Sequence, residues 1–179
     1  MTGGEEGWPL FLDGLVPIEK IPIQWDHTGY TSEKFYREVT SPTFEGWSGD
    51  RPTSEEAKII AALLGARKND SLLDVGCGYG RHSLILAKDY GLNVTGIDAS
   101  PGLIEVARRQ AQESNVPIKY LVRHIRDFDA LGDFDHAAVI FNTFSLFSSD
   151  DAAAALKKIR RALKDQGKLF MDLDNGPYN

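Results

Sequence analysis

The chain has 179 residues and a net charge of −6, with 42% hydrophobic and 26% charged residues; this suits one sizeable core and leaves too little for two ordinary domains. The acidic balance, interrupted only by short runs such as Lys157-Lys158 and Arg160-Arg161, argues against a nucleic-acid partner, and no run reaches the ~18 apolar residues of a membrane span. Cys77 is the single cysteine, so no internal disulfide can form, and Met1-Thr2-Gly3-Gly4-Glu5-Glu6 lacks the basic-then-apolar pattern of a secretory leader; a reducing cytoplasm is the expected setting.

Residues 1–52 read as an N-terminal extension that holds all three tryptophans, Trp8, Trp25 and Trp47. Asp13-Gly14 between Leu10-Phe11-Leu12 and Leu15-Val16 predicts a hairpin, and Pro9 and Pro17 confine its strands to an edge. A short helix is expected over Ser32 to Val39. These aromatics suit a packed extension or, alternatively, a lid over the glycine-rich turn described below. From residue 53 the pattern becomes regular. Thr53-Ser54-Glu55-Glu56 is a capping box, and Ala57, Ile60, Leu63 and Leu64 predict the buried face of a helix that ends at Gly65.

Leu72-Leu73-Asp74-Val75 predicts a strand buried on both faces, followed by Gly76-Cys77-Gly78-Tyr79-Gly80 and a helix from Arg81-His82-Ser83 through Ala87. Further strands are expected at Val94 to Asp98, Ile118 to Val122, Ala137 to Phe141 and Lys168 to Asp172. Helices are expected from Pro101 through Ala111 and from Asp150 to Leu163, the latter stopped by Gly167. Strands alternating with helices specify right-handed crossovers and a parallel sheet, an α/β Rossmann-like three-layer sandwich spanning 53–179. Ligands on such sheets bind beyond the C-terminal strand ends, where strand order reverses. Asp74, Asp98, Asp127 and Asn142 all fall at or just past those ends.

Alternate glycines between a buried strand and a helix allow close approach of a ligand, and the helix N-terminus adds free N–H groups and a positive dipole end. The spacing is G-x-G-x-G, with Arg81 where a dinucleotide fingerprint has its third glycine, and no G-x-x-x-x-G-K-[ST] occurs. Asp98, 22 residues after Gly76, suits a carboxylate that accepts both hydrogens of a ribose diol, although Asp98-Ala99-Ser100-Pro101 is also a good helix start. The ribose diol by itself does not separate NAD from S-adenosylmethionine. No histidine stands at metal-ligand spacing with a second histidine or cysteine, so no metal is indicated.

The wording of Asp74-Val75-Gly76-Cys77-Gly78-Tyr79-Gly80, Val94-Thr95-Gly96-Ile97-Asp98-Ala99-Ser100 and Phe134-Asp135-His136 through Phe141-Asn142-Thr143-Phe144-Ser145, in that order, resembles the small class I S-adenosylmethionine-dependent methyltransferases over residues 53 to 175. The resemblance implies S-adenosylmethionine as cofactor and assigns it Asp74, Gly76, Cys77, Gly78, Gly80, Asp98, Ala99, Asp127, Phe128 and Asn142. Asp127 would face the adenine amino group, with Asp129 as its rival, the backbone N–H beside it a ring nitrogen, and the carbonyl at Asn142 the methionine amino group. It further implies a methyltransferase acting on a small-molecule acceptor. The runner-up is a domain that keeps the cofactor site without turnover. An NAD-dependent oxidoreductase is disfavoured by Arg81.

Two features depart from the family. Leu163-Lys164-Asp165-Gln166-Gly167 stands in place of a Pro-Gly-Gly turn, and two further strands expected after the fifth are missing. The expectation is a C-terminally short core, truncated from a longer enzyme, with the fifth strand as an apolar edge; the alternatives are a homodimer contact along that edge or cover by the Leu10-to-Val16 hairpin. Catalysis in such enzymes is positional, and a base is needed only where the acceptor holds a proton. Asp26, His27, Tyr30, His124 and Ser145 are candidates, none singled out.

Overall fold

The computed structural model describes residues 53–141, 143–147 and 149–173. The hairpin, short helix and lid expected within 1–52 lie outside the described residues, as does Asn142. The elements are α1 (Thr53–Leu64), β1 (Ser71–Val75), α2 (Arg81–Tyr90), β2 (Asn93–Asp98), α3 (Pro101–Glu113), β3 (Lys119–Val122), β4 (Phe134–Val139), α4 (Ser149–Ala162) and β5 (Leu163–Met171), with short 3₁₀ turns at Ile125–Asp127 and Thr143–Leu146. The five strands form one sheet in the order β3-β2-β1-β4-β5, and every pairing is parallel.

Alternation along the strands builds two apolar layers. Leu73, Val75, Ile97, Ala137 and Val139 face α4, where Ala155, Ile159 and Ala162 meet them. Leu72, Val94 and Ala138 face the opposite way, against Ala57, Ile60, Ala61 and Leu64 of α1 and Leu86 of α2, and α3 covers Tyr120 of β3 with Ile104, Ala107 and Ala111. Both faces of β1 are therefore dry, and Leu72, Leu73 and Val75 fill them, with Asp74 the one charged residue buried among them. Strand order reverses between β1 and β4. The turns after those two strands, carrying the glycines and Ile140, Phe141 and Thr143, thus flank the crevice where such sheets take ligands. No helix among the described residues is long and apolar enough to cross a membrane.

Several boundaries differ from the sequence expectation. Leu63 is 65% exposed, and Ala61 takes the inward position. β4 begins at Phe134 and ends at Val139, because Phe141 turns to a left-handed backbone, φ +62°. Gly167 does not stop α4. The last carbonyls of that helix, on Arg161 and Ala162, instead accept from the N–H groups of Gly132 and Asp133, so a tertiary partner replaces the glycine cap. The chain enters β5 at once at Leu163, opposite Phe134, and the register then jumps to Lys168 opposite His136; residues 164–167 bulge between the two.

The capping box at the start of α1 is also redirected. Thr53 Oγ1 accepts from Arg81 Nη1 at 2.8 Å, and Glu56 Oε2 is 2.7 Å from the same nitrogen. Both side chains tie α1 to the first turn of α2 rather than closing on their own helix.

Candidate functional site

Three glycines on alternate residues follow β1, and each answers a different demand. A Cβ on Gly76 would run into the Thr143 side chain, and one on Gly80 into the Tyr120 ring and Ala107. These two are small because the fold closes over them. At Gly78, φ +54°, a Cβ would stand in open space, with no atom of the described residues beyond its chain neighbours within 4 Å. The loop is hooked to the end of β2 by the N–H groups of Gly76 and Cys77, which both donate to the Ile97 carbonyl at 2.8 and 3.0 Å. Gly80 then donates to Cys77 O at 2.9 Å and precedes α2.

Asp98 ends β2 against this loop. Its Oδ2 accepts from the Gly78 N–H at 3.0 Å and its Oδ1 from the Ser100 N–H at 2.8 Å. Burial raises its pKa, while those two bonds and nearby His124 pull the other way. The helix-start reading of Asp98-Ala99-Ser100 is visible too, since the Ser100 hydroxyl caps α3 by accepting from Leu103 N–H. The two roles do not exclude each other. Each Asp98 oxygen has spent one lone pair on a backbone donor and keeps another for a hydroxyl.

Beneath the loop, Asp74 is 2% exposed and accepts from Ser83 Oγ at 2.5 Å, pinning α2 to the central strand. Burial pushes its carboxyl up to about 6, against the Ser83 bond and with the help of Asp98. The Cys77 thiol is pushed well above its ordinary value by burial and by Asp74 and Asp98, so it packs as a small apolar group and is no nucleophile. Asp74, Gly76, Cys77, Gly78, Gly80, Asp98 and Ala99 are thus gathered at one place.

The assignments after β3 are drawn in less closely. Asp127 is exposed on the 3₁₀ turn. Phe128 turns its ring inward toward Phe134, 6.3 Å between centroids, and its N–H donates to Ile125 O at 3.2 Å. Asp129, the rival, is held at 2.6 Å by Lys158 Nζ and faces α4 instead. Of the base candidates, Asp26, His27 and Tyr30 lie outside the described residues, and His124 Nδ1 accepts from the Arg126 N–H at 3.2 Å. Among the described residues, no group of three or more His, Cys, Asp and Glu side chains is placed to hold a metal ion.

A second group was not assigned from the sequence. Arg81, the first residue of α2, sends Nη1 to Thr53 and Glu56, and His82 Nε2 lies 2.8 Å from the same Glu56 oxygen. Burial and the Arg81 charge lower the His82 pKa, which keeps the ring neutral near pH 7. Burial acts to raise the Glu56 carboxyl, but His82 and Arg81 outweigh it and hold it low. The Arg81 guanidinium carbon lies 5.3 Å from the centroid of the Phe141 ring, and Phe141 N–H donates to Asp172 Oδ2 at 2.8 Å. Glu56, Arg81, Phe141 and Asp172 line a cleft of about 130 Å³ whose other walls are Ile59, Ile60, Ile140 and Phe170. The only sequence signal for it was Arg81 standing where a dinucleotide site needs glycine.

A family model described as a methyltransferase domain matches residues 72–167, just over half of the chain. A ubiquinone biosynthesis O-methyltransferase of Xanthomonas oryzae pv. oryzae is 38% identical over 115 residues, 63% of this chain and 45% of that protein. An S-adenosyl-L-methionine-dependent Diels-Alderase of Talaromyces variabilis is 37% identical over 134 residues, 74% of this chain and 46% of that protein. The chain therefore spans a little under half the length of these curated relatives. Among solved structures, a TehB-like SAM-dependent methyltransferase of Corynebacterium glutamicum superposes with a TM-score of 0.62 at 28% identity, covering 73% of this chain and 67% of that one.

Proposed function

The chain belongs to the methyltransferase-domain family, and from that premise we propose that it binds S-adenosylmethionine across the Gly76–Gly80 turn and transfers the methyl group to a small-molecule acceptor. The observation that carries this reading is the pairing of an open Gly78 with the Asp98 carboxylate 3.0 Å from its N–H, a cradle beside an acceptor for two ribose hydroxyls. When bound, the cofactor supplies a methyl group already made electrophilic by its sulfonium.

In this reading Asp98 holds the ribose, the loop around Gly78 lies along the cofactor, and Asp74 keeps the loop and α2 in place from below. Asp127, the Phe128 N–H and Asn142 are proposed for the adenine and methionine ends. The chain's work is alignment and exclusion of water. The relatives named as O-methyltransferases favour an oxygen as the accepting atom. A cytoplasmic setting, residues 1–52 as a separate extension, and a homodimer through the β5 edge belong to the same proposal. Calorimetric titration with S-adenosylmethionine, S-adenosylhomocysteine and NAD tests it: the first two should bind and NAD should not. Binding of NAD alone would overturn it.

A second reading has its own support. The Diels-Alderase relative aligns over more of this chain than the O-methyltransferase does, so a domain that holds the cofactor without consuming it is the alternative. Formation of S-adenosylhomocysteine in the presence of an acceptor separates the two.

A further inference from the structure

We propose that Arg81 recognises the methyl acceptor, its Nη2 donating to an oxygen on a single planar ring lodged in the cleft beside the glycine turn; the inference rests on the methyltransferase reading above. Arg81 Nη1 is fully engaged by Thr53 and Glu56, yet Nη2 is buried and has no hydrogen-bond partner among the described residues. A buried guanidinium nitrogen left unpaired is costly, and such groups in native proteins call for a ligand or water. The cleft that the Arg81 side chain lines measures about 130 Å³, close to the ~150 Å³ of an engineered apolar cavity that takes one benzene ring.

Its walls say which ring. Ile59, Ile60, Ile140, Phe141 and Phe170 are apolar. Glu56 neutralises Arg81 across 2.7 Å, and Asp172 adds a further carboxylate to the lining. The cleft carries no net positive charge, so a phosphate or other multiply charged anion is disfavoured and a neutral phenol-type or carbonyl oxygen is favoured. Phe141 is 45% exposed and held in a left-handed backbone, φ +62°, a conformation costly for a bulky side chain and typical of functional positions. The cleft also shares a wall with the cofactor cradle. Ile140 O accepts from Thr143 Oγ1 at 2.8 Å, and the same Thr143 side chain closes over Gly76.

The test uses the full chain, 4-methylphenol as probe and toluene as its oxygen-free match, followed by heteronuclear NMR without cofactor. The phenol is expected to shift the Arg81 side-chain N–H resonances and the Ile140 and Phe141 amides, and to bind about tenfold more tightly than toluene. Arg81→Met should erase most of that preference. Because Arg81→Met also loosens the tie to α1, the wild-type Arg81 resonances provide a readout independent of the variant. Equal binding of the two probes, or unmoved Arg81 resonances at saturating phenol, overturns the proposal. A parallel titration with S-adenosylhomocysteine judges the cofactor site separately, so failure of one reading is not mistaken for failure of the other.

Discussion

The two ends of the sheet treat their polar side chains differently. At the N-terminal ends of the strands, Asp135 accepts from the Ser71 N–H and hydroxyl and from Lys164 Nζ, and the Lys164 and Ser71 bonds hold its carboxyl far below the ordinary range. Asp70 there meets His136 Nε2 at 3.1 Å, although His136 Nδ1 is buried without a partner among the described residues. At the C-terminal ends, burial raises both Asp74 and Asp98, Gly78 has open space at its Cβ position, and Arg81 Nη2 has no partner among the described residues. Asp135 at one end is tied to a lysine and a serine and serves the fold. At the other, Asp74 is spent on Ser83 below the glycine turn, while Asp98, only partly buried, keeps lone pairs beyond its two backbone bonds.

The largest expected effect separates two glycines of one motif. Gly80→Ala places a Cβ on Tyr120 and Ala107 at φ +82° and should cost about 3 kcal/mol of stability in urea unfolding. Gly78→Ala meets no neighbour; its stability loss should be only the ~1 kcal/mol of left-handed strain, with the main loss in S-adenosylhomocysteine affinity. Equal destabilisation by both would erase the distinction between a closed and an open glycine.

Asp98→Asn should weaken S-adenosylhomocysteine about tenfold to a hundredfold, since a charged acceptor loses its bonds to hydroxyls. Calorimetry showing unchanged affinity with the fold intact would leave Asp98 as a brace for Gly78 and Ser100 alone.

Acid should then act oppositely on the two ends. The folded Asp74 value of about 6 lies above the ~3.9 of an unfolded chain. Its stabilising contribution is therefore complete below about pH 4 and is lost as pH rises through 6. Asp74→Asn keeps an oxygen for Ser83 and should be about 1–2 kcal/mol more stable than wild type at pH 7.5, with the gap closing by pH 4. Urea titrations at the two pH values measure it, and a wild type whose stability ignores this interval would contradict a raised Asp74.

Asp135 runs the other way and more weakly. Its depressed pKa gives stability that is present above the unfolded value of about 3.9 and lost as pH falls toward the folded one. Lys164 is 49% exposed, so solvent screens the pair, and Lys164→Ala should cost about 0.5 kcal/mol at neutral pH. A thermal melt in low and high salt reads it, with the larger loss expected at low salt.

Read alone, the chain determined what depends on local order: the alternation of strands and helices, the parallel sheet, the glycine turn after β1 and the carboxylate at the end of β2. Buried runs, glycines and carboxylates at strand ends are written residue by residue, because period and backbone freedom are local properties. What depended on distant partners was decided only by the fold. The Thr53-to-Glu56 capping signal was real as a pattern, but Arg81, 28 residues on from Thr53, offered those side chains a charged donor stronger than their own backbone. Gly167 was expected to cap a helix whose carbonyls Gly132 and Asp133 had already taken. Gly76, Gly78 and Gly80 are alike in the sequence. Only the positions of Thr143 and Tyr120 make two of them structural and leave the third open, since steric room is a property of whatever the chain brings back from elsewhere.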